Sequence, residues 1–321
     1  MKLLLVGLDA LDIIYFEESE LDAFKSLRES SQWGTLHTDE LWSGPNWTTV
    51  FTGLTKKHHG VTDSLGRPFD SEWIGSRPHD YLWDILHEAG LTVGVCNFPA
   101  CYVARAIGYG SWMIGGWPGR PSVSPVKRLP PDFYSDLPDY SERGPLASQR
   151  PKGATPGWAI HEMPFEDYLD WAVSNYLLEQ QIAADMPATD VLMIQCSVLD
   201  RVGHMLSTPN KGKLGTRDPR YQDALKLADY FLELAMDRWP AEYVALVSDH
   251  GFRGEKHSHF GTWAIQGPGI LQCRNNTEMV NFCPTILDAL LDCDYSRDGT
   301  SVLLRDEQEI AEDRLKGLGY T

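Results

Sequence analysis

The sequence predicts an α/β fold, a largely parallel sheet with helices on both faces. Three observations carry this expectation. Continuous apolar runs at residues 2–8, 190–198 (DVLMIQCSV) and 243–247 (YVALV) are what strands buried on both faces require. Between them lie amphipathic stretches of helical period, the alternation that builds a parallel sheet. Finally, 42% hydrophobic and 23% charged residues in a chain of 321 match a soluble globular domain with a proper core.

The elements follow in order. Residues 2–8 form the first strand. A lysine before an apolar run imitates a leader peptide, but the run is too short, and Asp9 and Asp12 interrupt it before any cleavage site. Residues 17–30 have helical spacing, with Leu21, Phe24 and Leu27 on one face. Residues 81–89 form a short helix that stops at Gly90, a usual C-terminal residue. Residues 91–97 (LTVGVCN) form a strand that Pro99 cannot continue within a sheet. Residues 165–186 and 219–239 are long helices, the second with Ala224, Leu227, Phe231 and Leu234 inward. Residues 262–266 add another strand. Residues 115–157 break the pattern, being rich in Pro, Gly, Ser and Arg. A structureless stretch of that length is unusual inside a compact domain, and core-like elements resume directly after it. We therefore expect one domain over residues 1–321 carrying a small cap or lid at 115–157.

Acidic residues outnumber basic ones by 45 to 28, for a net charge of −17. Such a surface repels nucleic acid and anionic membrane, so an anionic partner must be small and held by local positive charge. No segment approaches the roughly 20 apolar residues of a membrane span. The six cysteines are scattered without a CxxC or framework spacing, which implies reduced thiols and a cytoplasmic setting.

The chemistry collects at strand ends. Three apolar runs each terminate in an aspartate: Asp9, Asp200 and Asp249. In an open parallel sheet the ligand site lies beyond the carboxyl ends of the strands. Singly, each aspartate suits a helix cap or a loop. Three carboxylates at one edge would repel one another unless protonated or bridged by cations. Histidines accompany them. His204 follows Asp200 by four residues, a spacing that shares one helix face. Asp249 and His250 stand side by side, and Gly251 allows a sharp turn after them. His257 and His259 follow in the same loop. Imidazole with carboxylate suits Zn, Mn or Fe, and five or six such ligands exceed one four-coordinate zinc, so two divalent ions are expected. Ser43, followed by Gly-Pro at a helix start, serves either as a helix cap or as a nucleophile. Trp42 and Trp47 beside it suit either base stacking or the core.

These residues carry a resemblance. The chain resembles the alkaline phosphatase superfamily, in its type I phosphodiesterase/nucleotide pyrophosphatase branch. GLDALD at the start, SGPNWTTVFTGLTKKHHGV from Ser43, LWDILHEAGLTVGVCNFP from Leu82, LDRVGH from Leu199, SDHGF from Ser248 and NFCPTILDALL from Asn281 occur in the family's order. The resemblance implies an alkaline phosphatase-like core and a metal-dependent hydrolase of phosphate esters. One ion, expected as Zn2+ with Mn2+ possible, would be held by Asp9, Asp249, His250 and the Ser43 hydroxyl. The other would be held by Asp200, His204 and His257, with His259 as a rival to His257. Ser43 would be the nucleophile of a phospho-serine intermediate, and Asn46 would hold a phosphoryl oxygen. The implied substrate is a small phosphate ester or nucleotide-like molecule. Serine stands where the phosphodiesterase branch commonly has threonine, which keeps a phosphomonoesterase in view. A sulfatase would need arginine at Trp47, and a non-catalytic metal-binding scaffold is the alternative of another class.

Overall fold

A computed structural model describes residues 1–61, 80–101, 104–115, 122–124, 165–207, 214–293, 295 and 297–306. The cap expected at 115–157 lies outside these residues, apart from Gly115 and residues 122–124. In chain order the strands are β1 (Leu3–Leu8), β2 (Gln32–His37), β3 (Val93–Cys96), β4 (Trp112–Gly115), β5 (Ser122–Ser124), β6 (Val191–Cys196), β7 (Tyr243–Val247), β8 (Gly251–Arg253), β9 (Lys256–Ser258), β10 (Phe260–Gln266), β11 (Cys273–Arg274) and β12 (Thr277–Glu278). The helices are α1 (Ile13–Glu17), α2 (Asp22–Ser30), α3 (Ser43–Thr52), α4 (Lys56–His59), α5 (Leu82–Glu88), α6 (Phe165–Asp185), α7 (Val198–Ser207), α8 (Tyr221–Arg238) and α9 (Phe282–Leu291).

The sheet runs β11-β2-β10-β7-β1-β6-β3-β4-β5. Its centre, β7-β1-β6-β3-β4, is parallel throughout. The expected parallel core is therefore present, and the flanks are mixed. The strand expected at 262–266 is β10, longer by two residues and antiparallel to both β7 and β2. The unanticipated β2 (QWGTLH) alternates buried and half-buried positions and lacks a continuous apolar run.

Side-chain alternation along β1 sorts the core into two layers. Leu4, Val6 and Leu8 face α1, α2, α6, α7 and α8. Leu3 and Leu5 face α3, α5 and α9. Gly7 shares this second face, where a Cβ would lie 2.5 Å from the Phe98 ring and 2.9 Å from Trp47. Only a glycine lets α3 approach the sheet so closely, and that approach delivers the start of α3 to the edge where β1 ends.

Two helices differ from expectation. The helix expected at 17–30 starts only at Asp22, as α2, and a separate α1 ends at Glu17, because between them Ser19 accepts the Leu21 N–H at 3.1 Å and competes with helical pairing. Arg28 donates to the Phe16 and Ser19 carbonyls at 2.6 and 2.9 Å, which satisfies the end of α1. In α8, Ala224 and Phe231 are buried as expected, while Leu227 and Leu234 are only half-buried. The buried stripe also includes Leu225, Ala228, Leu232 and Ala235, because α8 packs against α2, α6 and α7 together rather than against the sheet alone. Among the described residues no helix is long and apolar enough to cross a membrane, and all six cysteines are free thiols.

Candidate metal centre and nucleophile

Register brings the site together. Leu8 lies level with Cys196 on one side, and Gly7 with Val247 on the other. The residues that follow β1, β6 and β7 therefore emerge at one edge. Asp9 follows β1 directly, and Ala10 after it takes a left-handed φ of 66°. That state costs a non-glycine residue about 1–3 kcal/mol. It aims the Ala10 N–H at Asp249 Oδ1, 3.5 Å away. Asp249 and His250 follow β7, where buried Ser248 accepts the Leu11 N–H at 2.9 Å and donates to the His250 carbonyl at 2.6 Å. Asp200 and His204 stand one turn apart on α7. His257 is the middle residue of β9, paired with Phe252 of β8.

Two sets of donors result. Around His250 Nε2 lie Asp9 Oδ1 at 3.6 Å and Asp249 Oδ2 at 3.4 Å, all three residues fully buried. Around Asp200 Oδ1 lie His204 Nε2 at 3.3 Å and His257 Nε2 at 3.0 Å, with the two nitrogens 2.8 Å apart. The sets adjoin, since the His250 and His257 rings stack at 4.1 Å between centroids. Donor atoms of Asp200, His250 and His257 lie within 4.8 Å of one another, as do those of Asp9, Asp249 and His250.

The electrostatics are those of a site built for positive charge. Burial, then the neighbouring Asp249 and Asp200 carboxylates, push Asp9 well above the usual carboxylate range. Burial, then Asp200, raise Asp249 to about 7. Burial, then His257, lower His250 to about 3, so its ring is neutral. Burial also acts upward on Asp200, but His204 and His257 outweigh it and hold that carboxyl well below its ordinary value. His257 shifts the opposite way: burial depresses it, and Asp200 more than compensates, raising it.

A divalent cation fits these residues on independent grounds. Asp9 Oδ1 and Asp249 Oδ2 are buried oxygens without a hydrogen-bond partner, a costly state that a cation relieves. His250 Nδ1–H donates to the Gly251 carbonyl at 3.1 Å, and His257 Nδ1–H donates to the Leu41 carbonyl at 2.6 Å. Both rings thus turn Nε2 toward the carboxylates, the tautomer and orientation that metal-binding histidines use.

The other expected residues divide. Ser43 is the first residue of α3, and its Oγ lies 3.2 Å from His250 Nε2. With that ring neutral and its Nδ1 donating, the serine hydroxyl is the donor of this bond. His257, not His259, joins Asp200 and His204. His259 Nδ1 instead bonds the Thr38 carbonyl at 2.7 Å, and its ring stacks on His37. Asn46, expected to hold a phosphoryl oxygen, is engaged within the protein. It is 1% exposed, and its two N–H donors are spent on the Asp249 carbonyl at 2.7 Å and the Glu40 carbonyl at 3.2 Å. Its own oxygen accepts from Thr38 Oγ1 at 2.9 Å. Asn46 ties α3 to the loop after β7. Trp47 is fully buried, whereas Trp42 is 37% exposed and lies edge-on to His257. The role expected of Gly251 also changes. It does not adopt positive φ; rather, a Cβ there would lie 2.3 Å from Ser258 Oγ and 2.5 Å from Asp12 Oδ2.

Two contributors escaped the sequence reading. Asp12, noticed only as an interruption of the first apolar run, is a fully buried carboxylate beside the hairpin that carries His257. The Leu41 carbonyl orients His257, and a backbone group leaves no trace in the residue pattern.

Comparisons with known proteins identify the family and the fold. The profile described as type I phosphodiesterase/nucleotide pyrophosphatase matches residues 3–285. Comparison with curated proteins returned no match. Among solved structures, the chain is similar to murine ectonucleotide pyrophosphatase/phosphodiesterase 5 at 11% identity and TM-score 0.56, covering 94% of this chain and 98% of that one. An inactive variant of the murine protein in complex with AMP aligns at 11% identity and TM-score 0.55, covering 97% and 99%. A phosphonate monoester hydrolase from Silicibacter pomeroyi aligns at 13% identity and TM-score 0.53, covering 94% and 75%. These likenesses establish the alkaline phosphatase-like fold. The profile match, spanning nearly the whole chain, establishes the family: the protein belongs to the type I phosphodiesterase/nucleotide pyrophosphatases, a family of phosphoryl-transfer hydrolases.

Proposed function

We propose that the protein hydrolyses small phosphate esters, diesters or pyrophosphates of nucleotide type, through a phospho-Ser43 intermediate. The observation that carries this reading is the seat of Ser43. Its Oγ lies 3.2 Å from His250 Nε2, beside the unpartnered oxygens of Asp9 and Asp249. Divalent cations, Zn2+ or Mn2+, held by Asp9, Asp249 and His250 and by Asp200, His204 and His257, would supply Lewis acidity to the hydroxyl and to the phosphoryl oxygens. The chain's own groups do the rest. Ser43 begins α3, so the N–H groups of Ser43 and Gly44 point out of the helix toward an anion, while Pro45 has none to offer. Attack forms the Oγ–P bond and breaks the bond from phosphorus to the leaving oxygen, which takes up the serine proton. Water then cleaves the Oγ–P bond, restoring the hydroxyl and releasing phosphate or its monoester.

Nucleotide-like substrates are favoured by the family's description and by the AMP complex of the structurally similar murine protein. Trp42 adds a physical reason, being a half-exposed indole immediately before the nucleophile and edge-on to His257. The test is turnover of aryl phosphate mono- and diesters with added zinc or manganese. Wild type should prefer the diester, and Ser43→Ala should lose about a hundredfold or more in kcat. Undiminished turnover by Ser43→Ala would refute the nucleophile.

A further inference from the structure

The hairpin β8–β9 presents His257, yet it is a short two-stranded ribbon outside the main sheet. Such ribbons are marginal by themselves, so something must hold it in place. One buried side chain does so from both strands. Arg253 of β8 donates to Asp12 Oδ1 at 2.6 Å, and the Ser258 hydroxyl of β9 donates to Asp12 Oδ2. Gly251, level with Ser258 in the hairpin, is a glycine because Asp12 and Ser258 occupy the space of a Cβ. Side chains alternate along a strand. With Ser258 turned to Asp12, the preceding His257 is turned the other way, toward Asp200 and His204. Asp12 is also the N-cap of α1, accepting the Ile14 N–H at 3.2 Å, and stands three residues after Asp9. The loop between them is tied down as well, with the Leu11 N–H on Ser248 Oγ at 2.9 Å and the Leu11 carbonyl accepting from Thr262 at 2.9 Å.

From this geometry we propose that Asp12 is a positioning residue for the metal centre. It locks the hairpin to the segment that follows Asp9, so that His257 reaches Asp200 and His204 in register with the first donor set. The carboxylate belongs to neither donor set. Its contribution is selective: the set containing His257 depends on it, while Asp9, Asp249 and His250 are held by the strand ends themselves. The proposal rests on the metal-binding reading given above.

The test is zinc titration of the full chain against a competing chromophoric chelator, with melting temperatures recorded in zinc and in chelator. Wild type should bind two ions. Asp12→Asn should keep one at wild-type affinity and bind the other on the order of tenfold or more weakly, as loss of an outer-shell partner does. Ser258→Ala removes the β9 contact while leaving the α1 cap and the Arg253 pair, so it should weaken the same ion without a folding defect. Ser258→Thr, which keeps the hydroxyl, should restore it. A merely structural role would lower both melting temperatures equally and leave zinc affinity unchanged. That result would overturn this proposal while leaving the metal reading intact. Absence of zinc binding by wild type would overturn both.

Discussion

At the scale of single residues, chemically similar neighbours take unrelated roles according to what each faces. His257 and His259 are two positions apart on one short segment, yet only His257 meets Asp200. Asn46 and Ser43 lie on the same first turn of α3, but Asn46 is consumed by two carbonyls while the Ser43 hydroxyl stands beside His250. Trp42 and Trp47 flank them, one half-exposed at the site and one sealed between Phe51 and Phe98. The exposed indole yields a prediction about substrates. Trp42→Ala should raise KM several-fold for nucleotide or aryl esters, with stacking worth roughly 1–3 kcal/mol per base. It should leave KM for a simple alkyl phosphodiester nearly unchanged. Steady-state kinetics on the paired substrates read the difference, and equal effects on both would assign Trp42 to packing.

At the scale of elements, the sheet's register and the approach of α3 decide the site. The three parallel strands end level, so Asp9, α7 and the Asp249–His250 pair converge without any long loop. Helix α3 can descend to that edge only because Gly7 leaves room for Phe98 and Trp47. Gly7→Ala would place a methyl 2.5 Å from the Phe98 ring. We expect a loss of about 1–3 kcal/mol from overpacking, read by denaturant unfolding. Activity should fall further than stability explains, because the displaced helix carries Ser43. The central strands were legible because each is buried on both faces and so is apolar without interruption. β2 was not, since QWGTLH has mixed polarity, and the division between α1 and α2 rests on a serine hydroxyl whose partner is a backbone group. The hairpin was invisible for the same kind of reason: its anchor, Asp12, lies more than 240 residues away in sequence.

At the scale of the whole molecule, the −17 net charge takes on a definite meaning. Three of its carboxylates are gathered, buried, at one sheet edge, where burial and their neighbours raise the proton affinity of Asp9 and Asp249 while His204 and His257 hold Asp200 ionised. Protons and cations therefore compete. Asp249, at about 7, holds a proton below neutrality that a cation must displace, and Asp9 is raised in the same direction. His250, lowered to about 3, is neutral across this range and offers no competition. Apparent zinc affinity should thus fall as pH drops from about 7.5 to 5.5, by up to tenfold per pH unit for each proton displaced. Calorimetric titration in buffers of different ionisation heat would count those protons. An affinity independent of pH would mean that the buried carboxylates are not the ligands. By mass action, zinc at a hundredfold excess over Kd should also stabilise the fold by about 2.7 kcal/mol, and chelator should remove that gain.

The sequence by itself determined the alternation of buried strands and amphipathic helices, the acids and histidines placed after three strands, and the order of motifs that marks the family. Those features are local: apolar runs, one-turn spacings and strand-end residues are written in consecutive positions. Only the tertiary structure decided that His257 rather than His259 faces Asp200, that Asn46 is an internal tie, and that Asp12 clamps the hairpin. Each depends on which groups distant in the chain come within about 3 Å, and hydrogen bonds to backbone carbonyls leave no residue signature to read. The sequence announced which chemistry was present. The packing of α3 and the hairpin against the sheet settled which atoms face one another.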